Sequence, residues 1–250
     1  MKRGKSMGNI MLVTSGKGGT GKSTVALNLG LSLSKEGKKA IVVELDSGLR
    51  CLDLMLGVDD IVYDLGDILS GKCDANSGIY SAFDVPNLSI IAAPSRVDQM
   101  ISQNRFTQLC EYLAKSYDYV ILDTPAGLGS ALEVAAHASS LGIIVSNISP
   151  VSVRDAEKAA LKLSGFGLNN LRLVVNMVPM LVGSKTVLPD FDDIIDNVGA
   201  RLLAVVPYDE TISKTVTNRD KKENKKSVGT KAFSNMAKRI LGQDVPLLLR

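Results

Sequence analysis

With 250 residues, 45% hydrophobic and 22% charged, the chain can bury a sizeable core and is neither disordered nor collagenous. Its 29 lysines and arginines oppose 26 acids, and a formal charge of +3 is too mild to argue for a nucleic-acid partner. Cys51, Cys73 and Cys110 form no C-x-x-C pair, which speaks against a zinc or iron–sulfur site and for reduced thiols in the cytosol.

The chain opens with the basic stretch MKRGKSMG (1–8), followed by no signal-type apolar core, and this reads as a flexible tail. Residues 10–14 read as the first strand and 22–35 as the first helix. Strands follow at 39–45 and 88–93, a helix at 106–115, and strands at 119–123 and 141–147. A helix at 152–163, strands at 171–178 and 202–206, and a helix at 231–241 complete the series. Several strands are apolar on both parities, as parallel strands covered on both faces are. The expectation is one α/β domain over 1–250: a mostly parallel, twisted sheet of seven or eight strands with helices on both faces. No apolar run approaches the roughly 20 residues of a membrane span. The run RDKKENKK (219–226) reads as a solvated loop, because no aromatic is interleaved and two acids interrupt it. His137, the only histidine, has no matching base–nucleophile pair in view.

Between the first strand and helix lies SGKGGTGKST (15–24). Gly16, Lys17, Gly18, Gly19, Thr20, Gly21, Lys22 and Ser23 satisfy G-x-x-x-x-G-K-[ST]. Successive backbone N–H groups can converge there on phosphate oxygens at a helix N-terminus, where the dipole favours anions. Lys22 is placed to hold terminal phosphates and the Ser23 hydroxyl to ligate Mg²⁺. The loop itself needs no side chain at Lys17. The whole run Lys17 to Thr24 resembles the deviant Walker A box of the MinD/ParA family of P-loop ATPases. That resemblance implies an ATP-dependent homodimer in which Lys17 crosses the interface to the partner's nucleotide, as a trans arginine finger does.

Further segments carry the likeness. VVELDSGLRCLDLMLG (42–57) is similar to switch I of the MinD branch, with Asp46, Gly48, Leu49, Arg50, Leu52 and Asp53 matching in place. An acid at the carboxyl end of a parallel strand sits where open α/β sheets bind ligands, and the resemblance implies that Asp46 orients the attacking water and helps hold Mg²⁺. Glu44 and Cys51 depart from the family's usual aspartate and asparagine; a longer acidic arm at 44 is expected to alter the outer shell of Mg²⁺. YVILDTPAG (119–127) resembles Walker B and switch II, with Asp123 on a magnesium-bound water and the Gly127 N–H on the γ-phosphate. Asn176, Pro207, Tyr208 and Asp209 fall where the family holds adenine.

The resemblance runs from about residue 9 to 241 and then stops. The closing GQDVPLLLR is too short for an amphipathic face, so the family's membrane-targeting helix is expected to be missing. The implied function is a Mg-ATP-dependent ATPase switch, slow and dimer- or partner-stimulated, in cell-division site placement. It would be cytoplasmic, with a regulatory protein partner and a peripheral contact at the inner face of the cell membrane. Two alternatives stay open: a soluble protein-binding switch like the flagellar-number regulators, and a ParA-like, DNA-associated partition ATPase.

Overall fold

The computed structural model describes residues 7–47, 50–58, 60–82, 85–95, 102–179, 190–212 and 227–247. The run 219–226, Gly48 and Leu49 of the switch I pattern, and the first six residues of the expected tail lie outside these. The strands are β1 (Asn9–Thr14), β2 (Ala40–Glu44), β3 (Tyr80–Ser81), β4 (Leu88–Ile91), β5 (Tyr119–Asp123), β6 (Leu141–Ser146), β7 (Leu171–Val178) and β8 (Arg201–Pro207). They form one sheet in the order β3-β4-β2-β5-β1-β6-β7-β8. Every pairing is parallel except the two-residue β3 against β4. The eight mostly parallel strands match the expected fold class.

Helices among the described residues are α1 (Lys22–Lys35), α2 (Leu52–Leu56), α3 (Leu65–Ser70), α4 (Gln103–Ser116), α5 (Ser130–Ala138), α6 (Pro150–Gly165), α7 (Phe191–Val198) and α8 (Val228–Ile240). They cover the sheet from both sides, and the strands alternate their side chains between the two layers. On β1, Met11 and Val13 join α1 and α8 in one core, where Phe233, Met236 and Ala237 are buried. Leu12, between them, faces the other core with Phe106, Leu113, Leu132 and Ala156 from α4, α5 and α6. The 231–241 helix is thus a core-packing element. Burying each large aliphatic side chain contributes about 1.5–3 kcal/mol, so both layers hold the sheet firmly.

One expectation needs correcting. Gly8 belongs to the structured part of the chain: its N–H donates to Ala114 O at 2.8 Å, and a Cβ there would overlap the Tyr117 carbonyl.

The topology fixes where chemistry can occur. The chain leaves β1, builds β2, β4 and β5 on one side, then crosses to β6, β7 and β8 on the other. The carboxyl end of β1 is therefore the point where winding reverses, the usual ligand crevice of open α/β sheets.

Candidate functional site

The phosphate loop leaves β1 at Ser15 and enters α1 at Lys22. Gly21, at the helix N-cap, has φ +83, a left-handed conformation that favours glycine. Gly16 answers to a neighbour instead, since a Cβ there would run into the Asp155 carbonyl of α6. Two of the loop's glycines are thus required by the fold itself. Ser15 Oγ donates to Lys17 O at 2.9 Å, and Asn176 Nδ2 donates to Thr20 O at 2.8 Å, so both ends of the loop are tied. Thr20 is buried with its hydroxyl unpartnered, and Thr24 lies half-buried in the first turn of α1. Lys17, Gly18 and Gly19 are exposed at the rim. The Lys17 ammonium has no partner among the described residues.

Lys22 turns inward. Its Nζ lies 2.7 Å from Asp123 Oδ1, and it donates to Ser23 Oγ at 3.2 Å. Asp123 ends β5 and is fully buried, with Oδ2 lacking a hydrogen-bond partner. Burial pushes its carboxyl above the usual range. The charge and hydrogen bond of Lys22 pull it down without cancelling burial, as does the nearby Ser23 hydroxyl, which makes no well-formed bond to Oδ2. The charge of half-buried Asp46 adds to the rise, which places that carboxylate near Asp123. Asp46 sits just past β2, whose neighbour in the sheet is β5.

Ser23, Asp123 and Asp46 form an oxygen-only set, the chemistry that suits Mg²⁺. Mg²⁺ usually keeps several waters and takes one or two carboxylates beside substrate phosphates. The orphaned, buried Asp123 Oδ2 fits such an outer-shell role. Among the described residues there is no cluster of three or more His, Cys, Asp or Glu that could hold a metal by itself.

Other expected residues are engaged differently from their sequence reading. The Gly127 N–H, expected on a γ-phosphate, donates to Ser15 O at 3.2 Å. Asn176 is buried and its amide N–H holds the phosphate loop, leaving its carbonyl oxygen as the group available to a base. Asp209 is a structural cap: Oδ1 accepts from Thr211 N at 2.9 Å and Oδ2 from Gly229 N at 3.1 Å. Burial pushes its carboxyl up, but hydrogen bonds from Thr211, Ser227 and Gly229 outweigh that and hold it below the usual value. Pro207 pairs in register with Val178, and the exposed Tyr208 donates its N–H to Val178 O at 2.8 Å. Both therefore lie beside the end of β7 that carries Asn176.

Three features were not legible beforehand. Met177 has φ +56 at a β7 irregularity, and its Cε lies 3.0 Å from where a Gly21 Cβ would be, so it packs on the loop's end. Asp155 packs under Gly16. Glu44, expected to reach the outer shell of Mg²⁺, instead accepts backbone N–H groups from Cys51, Leu52 and Ala93. Burial pushes its carboxyl up against the pull of these bonds. Burial, with the Glu44 charge behind it, pushes the Cys51 thiol up to about 12.

The comparisons with known proteins bear on the family and the fold. The ParA family model described as "NUBPL iron-transfer P-loop NTPase" matches residues 6–241. The chain is 35% identical over 247 residues to the septum site-determining protein MinD of Synechocystis sp. (strain PCC 6803), covering 97% of this chain and 92% of that protein. The MinC:MinD cell division protein complex of Aquifex aeolicus superposes with a TM-score of 0.85 at 27% identity, over 96% of this chain and 98% of that one. The septum site-determining protein MinD complexed with Mg-ADP from Pyrococcus horikoshii gives 0.81 at 29% identity, over 94% and 96%. By sequence, fold and phosphate loop together, the chain belongs to the ParA family of P-loop NTPases, with MinD-type relatives.

Proposed function

We propose that this protein is a MinD-type ATPase switch in cell-division site placement, closing into a homodimer on Mg-ATP and reset by hydrolysis. The observation that carries the reading is the convergence of the loop lysine, the Ser23 hydroxyl, Asp123 and Asp46 at the carboxyl ends of β1, β5 and β2. The loop backbone and Lys22 bind the phosphates, which compete with Asp123 for the ammonium. Ser23 would ligate the metal directly and Asp123 would accept from a water that the metal carries. Mg²⁺, when bound there, would supply charge neutralisation of the phosphates. Asp46 orients the water that attacks the γ-phosphorus, and ADP and phosphate leave. The Asn176 carbonyl, Pro207 and Tyr208 flank the base.

Lys17 is exposed and unpartnered among the described residues, which supports a role across the dimer interface. The Pyrococcus horikoshii relative holds Mg-ADP and the Aquifex aeolicus relative is in complex with MinC, which supports the nucleotide and a regulatory protein partner. A cytoplasmic protein with a peripheral contact at the cell membrane follows from the same reading. No helix among the described residues is long and apolar enough to cross a membrane. The test is phosphate release from Mg-ATP by wild type and by Asp46→Ala. Slow release by wild type, lost in the variant while ATP still binds, is the expected result; equal release by both removes Asp46 from the mechanism.

A further inference from the structure

Glu44 closes β2 and is fully buried. Its Oε1 accepts the Cys51 N–H at 2.7 Å and the Leu52 N–H at 3.3 Å. Its Oε2 accepts the Ala93 N–H, just past β4, at 3.3 Å. Cys51 is the N-cap of α2 but makes no side-chain cap bond, so a carboxylate from another element caps that helix. The chain thus leaves Glu44 and returns to it seven residues later. Asp46 lies within that loop. The loop's first residue, Leu45, is pinned by its own N–H to Asp123 O at 2.9 Å.

We propose that Glu44 is a positioning residue for hydrolysis: its carboxylate ties Cys51 and Leu52 back to the end of β2 and so fixes Asp46, which follows β2, at the site. The inference rests on the reading of Asp46 given above. A buried carboxylate with three backbone donors holds them more firmly than neutral acceptors do, because charge-assisted bonds are about twice as strong. Glutamine in its place keeps one accepting oxygen and turns an NH₂ toward a backbone N–H, which opens one end of the tether. Aspartate keeps the charge on an arm one methylene shorter. Misplacing a reacting group by about 1 Å can cost about 100-fold in rate, so a loosened loop lowers turnover without touching the phosphate loop.

The experiment measures kcat, ATP affinity and amide exchange for Glu44→Gln, Glu44→Asp and Asp46→Ala, and for the double variant Glu44→Gln/Asp46→Ala. Glu44→Gln is expected to lower kcat by about 10- to 100-fold and to speed exchange at Cys51 and Leu52. ATP affinity should stay within about threefold of wild type, and the double variant within about twofold of Asp46→Ala, because residues acting as a unit are not additive. Glu44→Asp, which preserves the charge should the amide variant fail to fold, is expected to show the same split between kcat and affinity. A full further loss in the double variant would overturn the proposal, since Glu44 would then act independently of Asp46. Loss of turnover in Asp46→Ala with wild-type turnover in Glu44→Gln overturns this inference alone, whereas normal turnover by Asp46→Ala overturns the reading of the site and this inference with it.

Discussion

Replacing Lys22 by methionine keeps the length of the side chain and removes its ammonium, leaving the Asp123 charge buried. The lost contact is 2.7 Å long, between a lysine side chain 8% exposed and an aspartate side chain at 0%. Asp123 Oδ2 has no partner of its own, so nothing equivalent replaces the lysine. Breaking a buried ion pair from one side typically costs about 3–5 kcal/mol. With a urea slope of about 3 kcal/mol/M for a chain of this size, the unfolding midpoint should fall by roughly 1–1.7 M. The assay is urea unfolding followed by circular dichroism, in EDTA and without nucleotide. The loss should also depend on pH. Burial raises the Asp123 carboxyl in the folded state, and losing the lysine raises it further, so the native form of the variant holds that proton more tightly than the unfolded chain does. Stability then falls as pH rises from the unfolded value near 3.8 to the raised folded value, and levels off above it. The variant should lie closer to wild type at pH 5 than at pH 8, and Lys22→Met/Asp123→Asn should recover most of the loss at pH 8. A loss below about 0.5 kcal/mol, the size of an ordinary surface change, or an equal loss at both pH values, refutes the reasoning.

Lys17→Ala should leave ATP affinity nearly intact and abolish ATP-dependent dimerisation, because its side chain supports no contact within the described residues; sedimentation with equal dimerisation of variant and wild type would contradict the role in trans. Asp209→Ala removes the acceptor for Thr211 and Gly229 and should cost about 1–2 kcal/mol at pH 7. The Asp209 carboxyl is held low in the folded state, so its contribution is present above the unfolded value and lost as pH falls through the folded one. Wild type and variant should therefore converge in acid, and a gap that persists unchanged there would count against the cap.

The parts legible in the sequence are those whose cause is local. β1, the glycine-rich loop and α1 follow one another within 27 residues, and spacing alone places Lys22 and Ser23 at a helix start. The apolar runs gave seven strands within a residue or two, whereas β3 has two residues on a sheet edge and carries no periodicity. Helix α2 escaped because it has five residues and takes its cap from Glu44 on another strand. Helix α3 did carry a local signal, the reciprocal bonds of Asp64 and Asp67 across its first turn. The bonds from Asn176 to Thr20, from Gly127 to Ser15 and from Glu44 to Ala93 join positions 49 to 156 residues apart, and only the finished sheet brings them together. For that reason the glycine-rich loop and the helix it enters could be read in advance, while the long-range bonds that tie the flanking segments could not.

The central claim, a nucleotide-driven dimer that hydrolysis resets, is tested most directly by sedimentation velocity of Asp46→Ala with Mg-ATP and with Mg-ADP. The account predicts a dimer in ATP and a monomer in ADP. The same oligomeric state with either nucleotide would contradict it.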